Sequence, residues 1–330
     1  MKPGVVLAIG LGLAVATAVV GYIGFPAVYI ALARVGPRGL ATLCLYSFLP
    51  FFLLGTAWYV LARDEPARRW PIFIWSRIIR DSAGELLPFS QLGGFVIGAR
   101  AAVERGVAPT TAFSTTVVDV TTELLAQLGF TGLGVGLLLM RAGSHLSGNA
   151  MVGAALVGLL LTALGAAAFI GLQRRGGGLV ERLITRFLPG VAPETSLVVQ
   201  AIDDLYAHPI RIAAAVAVHL TAWVASAVGI WLALRIAGVA IDLTAILAIE
   251  SLVGAVRSAA FVAPMGIGVQ EASYAFLGPL FGLGPELSLA VSLLKRARDL
   301  VIGVPALLVW QGLEGLRLVN RKPGPADGVN

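Results

Sequence analysis

No Asp, Glu, Lys or Arg occurs from Pro3 to Ala33, from Gly39 to Ala62 or from Ile212 to Leu234. A helix crosses the hydrocarbon core of a bilayer with about 20 apolar residues, so each stretch is long enough to span. The whole sequence agrees, with 58% hydrophobic and 13% charged residues, against about 25% charged in a soluble domain. Such a chain is neither a soluble enzyme nor a disordered segment. It also lacks the period-2 alternation of a transmembrane β-barrel. The expected fold class is an all-α polytopic membrane protein.

Hydropathy places full spans at 4–33, 39–62, 109–140, 150–173, 210–236 and 285–316, about six in all. The first is read as a retained helix, because no small-residue cleavage site precedes Phe25-Pro26. The segment 174–208 is the most polar and reads as an interfacial helix and loop, and 321–330 reads as a disordered tail. Residues 1–320 thus form a single integral membrane domain. With the amino terminus inside, sixteen of the 24 Lys and Arg fall in inner segments and four in outer loops. That bias puts both termini in the cytoplasm. It also accounts for the net charge of +6 and the pI of 9.9 without nucleic acid as a partner. The single Cys44 excludes a disulfide framework. His145, His208 and His219 share no ligand spacing and read as structural, so neither metal nor cofactor is expected.

Two segments, about 70–102 and 243–282, are apolar but broken by charges and by Pro/Gly clusters. Sliding one onto the other at a single constant offset superposes Pro88 on Pro264, Gly106 on Gly282, Pro109 on Pro285, Asp119 on Lys295 and Glu123 on Asp299. This defines two repeats, about 36–140 and 212–316. An odd number of expected spans separates them, so the second enters from the opposite face, as in inverted-topology transporters. Proline removes a backbone donor and glycine frees the dihedrals, so the chain can turn back at these clusters. Residues 82–100 and 258–282 are therefore expected to be re-entrant hairpins with tips meeting at mid-bilayer. A kinked spanning helix is the alternative.

Several groups are candidates for function. In Pro264-Met265-Gly266-Ile267-Gly268-Val269-Gln270-Glu271 the glycines permit a tight turn, and Glu271 either contacts cargo or caps the next helix. Its counterpart runs from Glu85 through Pro88 and Gln91 to Gly94. Asp119 and Glu123 are spaced i, i+4, as are Lys295 and Asp299, with Arg296 and Arg298 beside them. Charges at bilayer depth cost at least about 2.5 kcal/mol each unless paired. Salt bridges are accordingly expected between Asp119/Glu123 and Lys295/Arg298, serving as glue between halves, a polar track for a head group, or a proton relay. Arg77, Arg80, Asp81, Glu85, Arg100 and Arg257 lead into or out of the hairpins, anchoring them at the interface or holding a phosphate or hydroxyl-rich head group. No G-x-S-x-G, H-E-x-x-H or Walker sequence is present, and no enzymatic activity is expected.

The spacing Pro264-x-Gly266-x-Gly268-x-x-Glu271, after a related Pro-containing hairpin, resembles the membrane region of the lysylphosphatidylglycerol synthase/flippase family. Ser82-Ala83-Gly84-Glu85-Leu86-Leu87-Pro88-Phe89-Ser90-Gln91-Leu92-Gly93-Gly94, followed by Gly98-Ala99-Arg100-Ala101, resembles its hopanoid-associated (HpnL-type) branch. The resemblance implies a lipid translocase of the bacterial inner membrane, with hopanoid as cargo. Relatives carry an Arg and a Gly-Glu pair where this chain has Ser90 and Gly93-Gly94, which disfavours a strongly anionic cargo. The aminoacyl-transferase domain of bifunctional members is not expected here. The expected partners are membrane lipids (hopanoid or phospholipid), a second copy of the chain, and hopanoid-biosynthesis proteins. The competing readings are a non-transporting assembly partner of lipid-modifying enzymes, a translocase for another phospholipid or polyprenyl lipid, and a small-molecule or ion-coupled transporter.

Overall fold

The computed structural model describes residues 25–87, 90–142, 195–259 and 267–320, with the isolated positions 160, 163, 167 and 171. Every described element is helical: α1 (Phe25–Leu61), α2 (Trp70–Leu86), α3 (Ser90–Glu104), α4 (Pro109–Ala142), α5 (Thr195–Tyr206), α6 (Pro209–Ile236), α7 (Leu243–Ala259), α8 (Val269–Leu280) and α9 (Pro285–Asn320), plus a short 3-10 turn at Ala67–Arg69. Three of them contain stretches long and apolar enough to cross a bilayer: Leu32–Leu61, Pro109–Met140 and Pro209–Ile236. The expected spans 39–62, 109–140 and 210–236 correspond to these. Most of 4–33, the span 150–173 apart from its four isolated positions, all of 174–194 and the tail 321–330 lie outside the described residues. The expected span 285–316 falls within α9, whose Lys295, Arg296, Arg298 and Asp299 make it too charged to rank with the other three.

One boundary differs from expectation. Residues 34–38 do not form a loop; α1 runs through them, bent at Gly36 (φ 59°, ψ −173°), and Pro37 starts its second rod. The positive φ is open to glycine and strained for other residues, which localises the kink to one peptide.

Helices α2 and α3 form a tight antiparallel pair. Gly94 faces the backbone of Arg80 and Gly84, and a Cβ built at Gly98 would lie 2.5 Å from Arg80 Cβ. Helices α7 and α8 are antiparallel as well, with Arg257 against Gln270 near the connection and Glu250 against Tyr274 two turns away. The exit from each pair is built alike. Arg105 and Val107 donate to the Ala102 carbonyl and Gly106 to Val103. At the positions that the constant sequence offset matches to these, Phe281 and Leu283 donate to Gly278 and Gly282 to Pro279. Gly106 (φ 96°) and Gly282 (φ 86°) both turn left-handed, and Pro109 and Pro285 start the following long helices.

Neighbour relations show the same correspondence. Helices α1 and α6 pack along each other, with Tyr46 over Gly229. Helix α4 lies on α7 (Gly134 on Ser251), and α9 lies on α2 (Gly303 on Ser82). The largest apolar core joins Leu43 of α1, Phe130 of α4, Ile230 of α6, Ile249 of α7 and Leu294 of α9. Helix α5 is amphipathic and buries Val198, Ile202 and Leu205 at i, i+4 and i+7 beside Val118 of α4.

At one end of the bundle Arg211 donates two hydrogen bonds to Asp64, each 3.0 Å, from the start of α6 to the turn after α1. These bonds hold the Asp64 carboxyl below its usual range. Its contribution is therefore present above the ordinary aspartate pKa and is lost as pH falls through the lowered one. Asp64→Asn should lower the unfolding temperature slightly at neutral pH and leave it unchanged in strong acid.

The close α2–α3 approach gives a sharper test. Gly98→Val should push the pair apart and cost about 1–3 kcal/mol, read as a lower unfolding temperature of the detergent-solubilised protein. Gly129→Ala, where a Cβ meets nothing within 4 Å, should leave that temperature unchanged.

Candidate functional site

Helix α2 carries Arg77, Asp81 and Glu85 at i, i+4 and i+8, with Arg80 on the same face. This stripe touches two polar clusters. In the first, Arg77 donates to Asp119 (3.0 Å) and Glu123 (2.7 Å) of α4 and to Asp81 (3.0 Å). Arg80 donates to the same two carboxylates, at 2.5 Å to Asp119 and 2.7 Å to Glu123. His219 of α6 lies 2.9 Å from the other Asp119 oxygen. Asp119 and His219 are 0% exposed and the two arginines 2%. The Arg80 guanidinium also stacks 4.4 Å from the Phe95 ring. Between them the two arginines and His219 engage Asp119, Glu123 and Asp81, and such multiple pairing is the arrangement that lets buried charges persist.

This corrects one expectation. Asp119 and Glu123 do not pair with Lys295 and Arg298 across the halves. The hairpin helix α2 stands against α4 and supplies the counter-charges from within the same half. Lys295 is likewise neutralised within its own half, 2.7 Å from Glu250 of α7 and 2.9 Å from the Tyr274 hydroxyl of α8. Arg298 binds its neighbour Asp299 at 3.0 Å. Arg77 and Arg80, assigned from sequence to the inner interface, are buried.

The second cluster lies where the two helical pairs meet. Glu85, close to the end of α2, forms an ion pair with Arg257 near the end of α7. Arg257 also donates to Gln270 Oε1 at 2.8 Å. Gln270 in turn donates to the carbonyl and hydroxyl of Ser292 on α9. Glu271 serves two elements at once. One carboxylate oxygen accepts the Gly268 N–H at 2.8 Å, capping α8, and the other accepts Arg296 Nε at 3.2 Å and the Ser292 hydroxyl at 3.3 Å. Gly268 sits at φ 81°, the left-handed region that glycine tolerates. Arg296 lies 3.8 Å from Glu85, closing the circuit. The side chains of Glu85, Arg257 and Arg296 stay 19–21% exposed, comparable to Asp81 (25%) and Glu123 (20%) at the rim of the first cluster, whose Asp119, His219 and arginines are buried.

The sequence-derived candidates therefore divide. Glu85, Arg257, Gln270 and Glu271 come together, with Gly268 shaping the turn and Arg298 and Asp299 nearby on α9. Asp119 and Glu123 belong to the first cluster and Lys295 to the Glu250–Tyr274 set. Arg100 is elsewhere: it binds Glu104 at 3.0 Å and pairs with Glu314, joining the far end of α3 to α9. Pro88, Pro264 and Gly266 lie outside the described residues, as does the side chain of Gln91. Glu250 and Tyr274 escaped the sequence reading, His219 entered it only as a structural histidine, and Arg296 only as a neighbour. A lone carboxylate in the apolar run Leu243–Ala255 was the available signal for Glu250, since such a charge needs a partner. No group of His, Cys, Asp or Glu among the described residues is arranged to hold a metal ion.

The family described as "Lysylphosphatidylglycerol synthase TM region" matches residues 7–306. The chain belongs to that family. No curated protein matches it, and no solved structure does. Membership makes it a membrane protein concerned with lipids. The match spans both helical pairs and both polar clusters, so the Glu85–Arg257 junction lies inside the family's own membrane region.

Two single replacements distinguish the clusters. Asp119→Asn leaves Arg77 and Arg80 short of a buried counter-charge and should cost about 3–5 kcal/mol. Glu85→Gln, at a junction where about a fifth of each charged side chain stays exposed, should cost less than that. Thermal unfolding in one detergent measures both.

Proposed function

We propose that this protein is a lipid translocase of the bacterial inner membrane, without enzymatic activity, which moves hopanoid lipids. In this reading α2/α3 and α7/α8 are re-entrant hairpins that enter from opposite faces. The segments 36–140 and 212–316 are then inverted-topology repeats, with both chain ends in the cytoplasm. The observation that carries the proposal is the ring Glu85–Arg257–Gln270–Glu271–Arg296 where the two helical pairs meet, part-exposed at Glu85, Arg257 and Arg296. The matched turns at Gly106 and Gly282 support the repeat, and inverted repeats with broken helices near mid-membrane are a transporter arrangement.

The chemistry follows from desolvation. Dragging an unpaired hydroxyl into hydrocarbon costs some kcal/mol. Carboxylates and guanidinium groups at the junction offer acceptors and donors to a hydroxyl-rich head group, while its apolar body stays in lipid. A cargo hydroxyl that bridges Glu85 and Arg257 takes the place of their direct contact. The long α1–α6 contact is the hinge about which the halves rock.

The test is lipid movement in proteoliposomes carrying head-group-labelled hopanoid or head-group-labelled phosphatidylglycerol. Wild type should move the hopanoid faster than empty vesicles do. Arg257→Lys keeps the charge but loses the fork that reaches both Glu85 and Gln270, and should lower the rate several-fold with little change in unfolding temperature. Movement no faster than in empty vesicles would replace the translocase with the assembly-partner role. Preference for the phospholipid would replace the cargo.

A further inference from the structure

Where α1 gives way to α2, an open groove of about 720 Å³ counts Thr56, Tyr59, Arg63, Asp64, Glu65 and Trp70 among its lining residues. It lies at the end of the apolar stretch Leu32–Leu61, where a crossing helix meets the polar face of a bilayer and Trp and Tyr collect. Both aromatics have their polar tips satisfied within the groove wall. Trp70 Nε1 donates to the Thr56 hydroxyl at 3.1 Å, and the Tyr59 hydroxyl donates to the Glu65 carbonyl at 3.1 Å. The two carboxylates are already engaged: Asp64 accepts two hydrogen bonds from Arg211, and Glu65 forms an ion pair with Arg69. Arg63 and Arg68 are exposed and enter no ion pair or hydrogen bond among the described residues. Four arginines thus stand around two carboxylates, and the surplus is positive.

An apolar stripe leads away from the groove along α1. Thr56, Phe52, Phe48 and Leu45 are spaced by three or four residues, which places them on one helical face, and Phe52, Phe48 and Leu45 are exposed. The Phe52 ring meets the Trp70 ring edge-on at 4.8 Å, so stripe and groove are continuous. We propose that this groove holds a resident anionic phospholipid, its phosphate on Arg63 and Arg68 and an acyl chain along Phe52, Phe48 and Leu45. Charge complementarity selects this occupant. A zwitterionic head group brings a cation to a place that already has a surplus, and an uncharged one leaves both guanidinium groups unanswered. The site is separate from the Glu85 junction: Trp70 and Glu85 are fifteen residues apart on α2, about 22 Å along a helix axis. It therefore does not depend on the translocase reading. A lipid bridging the end of α1 and the turn before α2 fastens the helix that carries both polar clusters.

The test uses the full chain in detergent micelles, with phosphatidylglycerol or phosphatidylcholine of identical acyl chains added and bound lipid counted by native mass spectrometry. Wild type should prefer phosphatidylglycerol at least about five-fold. Arg63→Gln should weaken that lipid about five-fold and leave phosphatidylcholine unchanged. Arg235→Gln removes the same charge from an exposed arginine beside Trp231, at the other end of α6, and should change neither. Should Arg63→Gln fail to fold, a phosphatidylglycerol with a photoreactive acyl chain reads the site in the wild type. Its adducts should fall between residues 45 and 70 and be competed away by unlabelled phosphatidylglycerol but not by phosphatidylcholine. Equal affinity for the two lipids, an equal loss in Arg235→Gln, or competed adducts on other helices overturns the site. Displacement by the same concentration of inorganic phosphate overturns the lipid as its occupant.

Discussion

Ionised side chains inside an oily helix bundle persist only by holding one another, and α2 is where this requirement is met twice. Its polar stripe ties down two carboxylates of α4 with a pair of arginines, then offers Glu85 to α7 and α9 one turn further on. The desolvation of so many groups is offset only because each guanidinium reaches more than one acceptor. The position of α2 is set by that saturation as much as by apolar contact. The glycines at 94 and 98 then let α3 close on its other side.

The two halves solve the same electrostatic problem with opposite signs. At equivalent positions one long helix carries Asp119 and the other Lys295, and in each case the first helix of the adjoining pair provides the opposite charge. Each half is thereby stitched internally. Between halves the contacts are mainly apolar, as along α1 and α6 or where Gly303 meets Ser82. The polar exceptions include the Glu85 junction, the Arg100–Glu314 pair, His219 on Asp119 and Trp310 on Glu104. A bundle stitched this way holds its halves as units and concentrates polar contact between them at a few points.

The sequence disclosed some of this for identifiable reasons. Charge-free runs marked α1 and α6 and a nearly charge-free one marked α4, because span length is dictated by the bilayer and is read one residue at a time. The constant offset between the repeats found Gly106 and Gly282, where a left-handed turn demands glycine. Partnerships were harder to see. The i, i+4 spacing shows that Asp119 and Glu123 share a face, but not that α2 stands opposite; that depends on tertiary packing. His219 looked like an ordinary buried histidine because nothing in its own helix hints at Asp119, far away in the chain. Gly36 and Pro37 looked like a loop, since a kink and a loop use the same residues.

Glu271 has a mechanical consequence. Its two oxygens are committed to different bodies, one to the first turn of α8 and one to Arg296 on α9. Whatever tugs on that arginine is transmitted through a single rigid carboxylate to the start of a neighbouring helix. The residue is a rivet between two helices, and strain on either side is shared at once by the other.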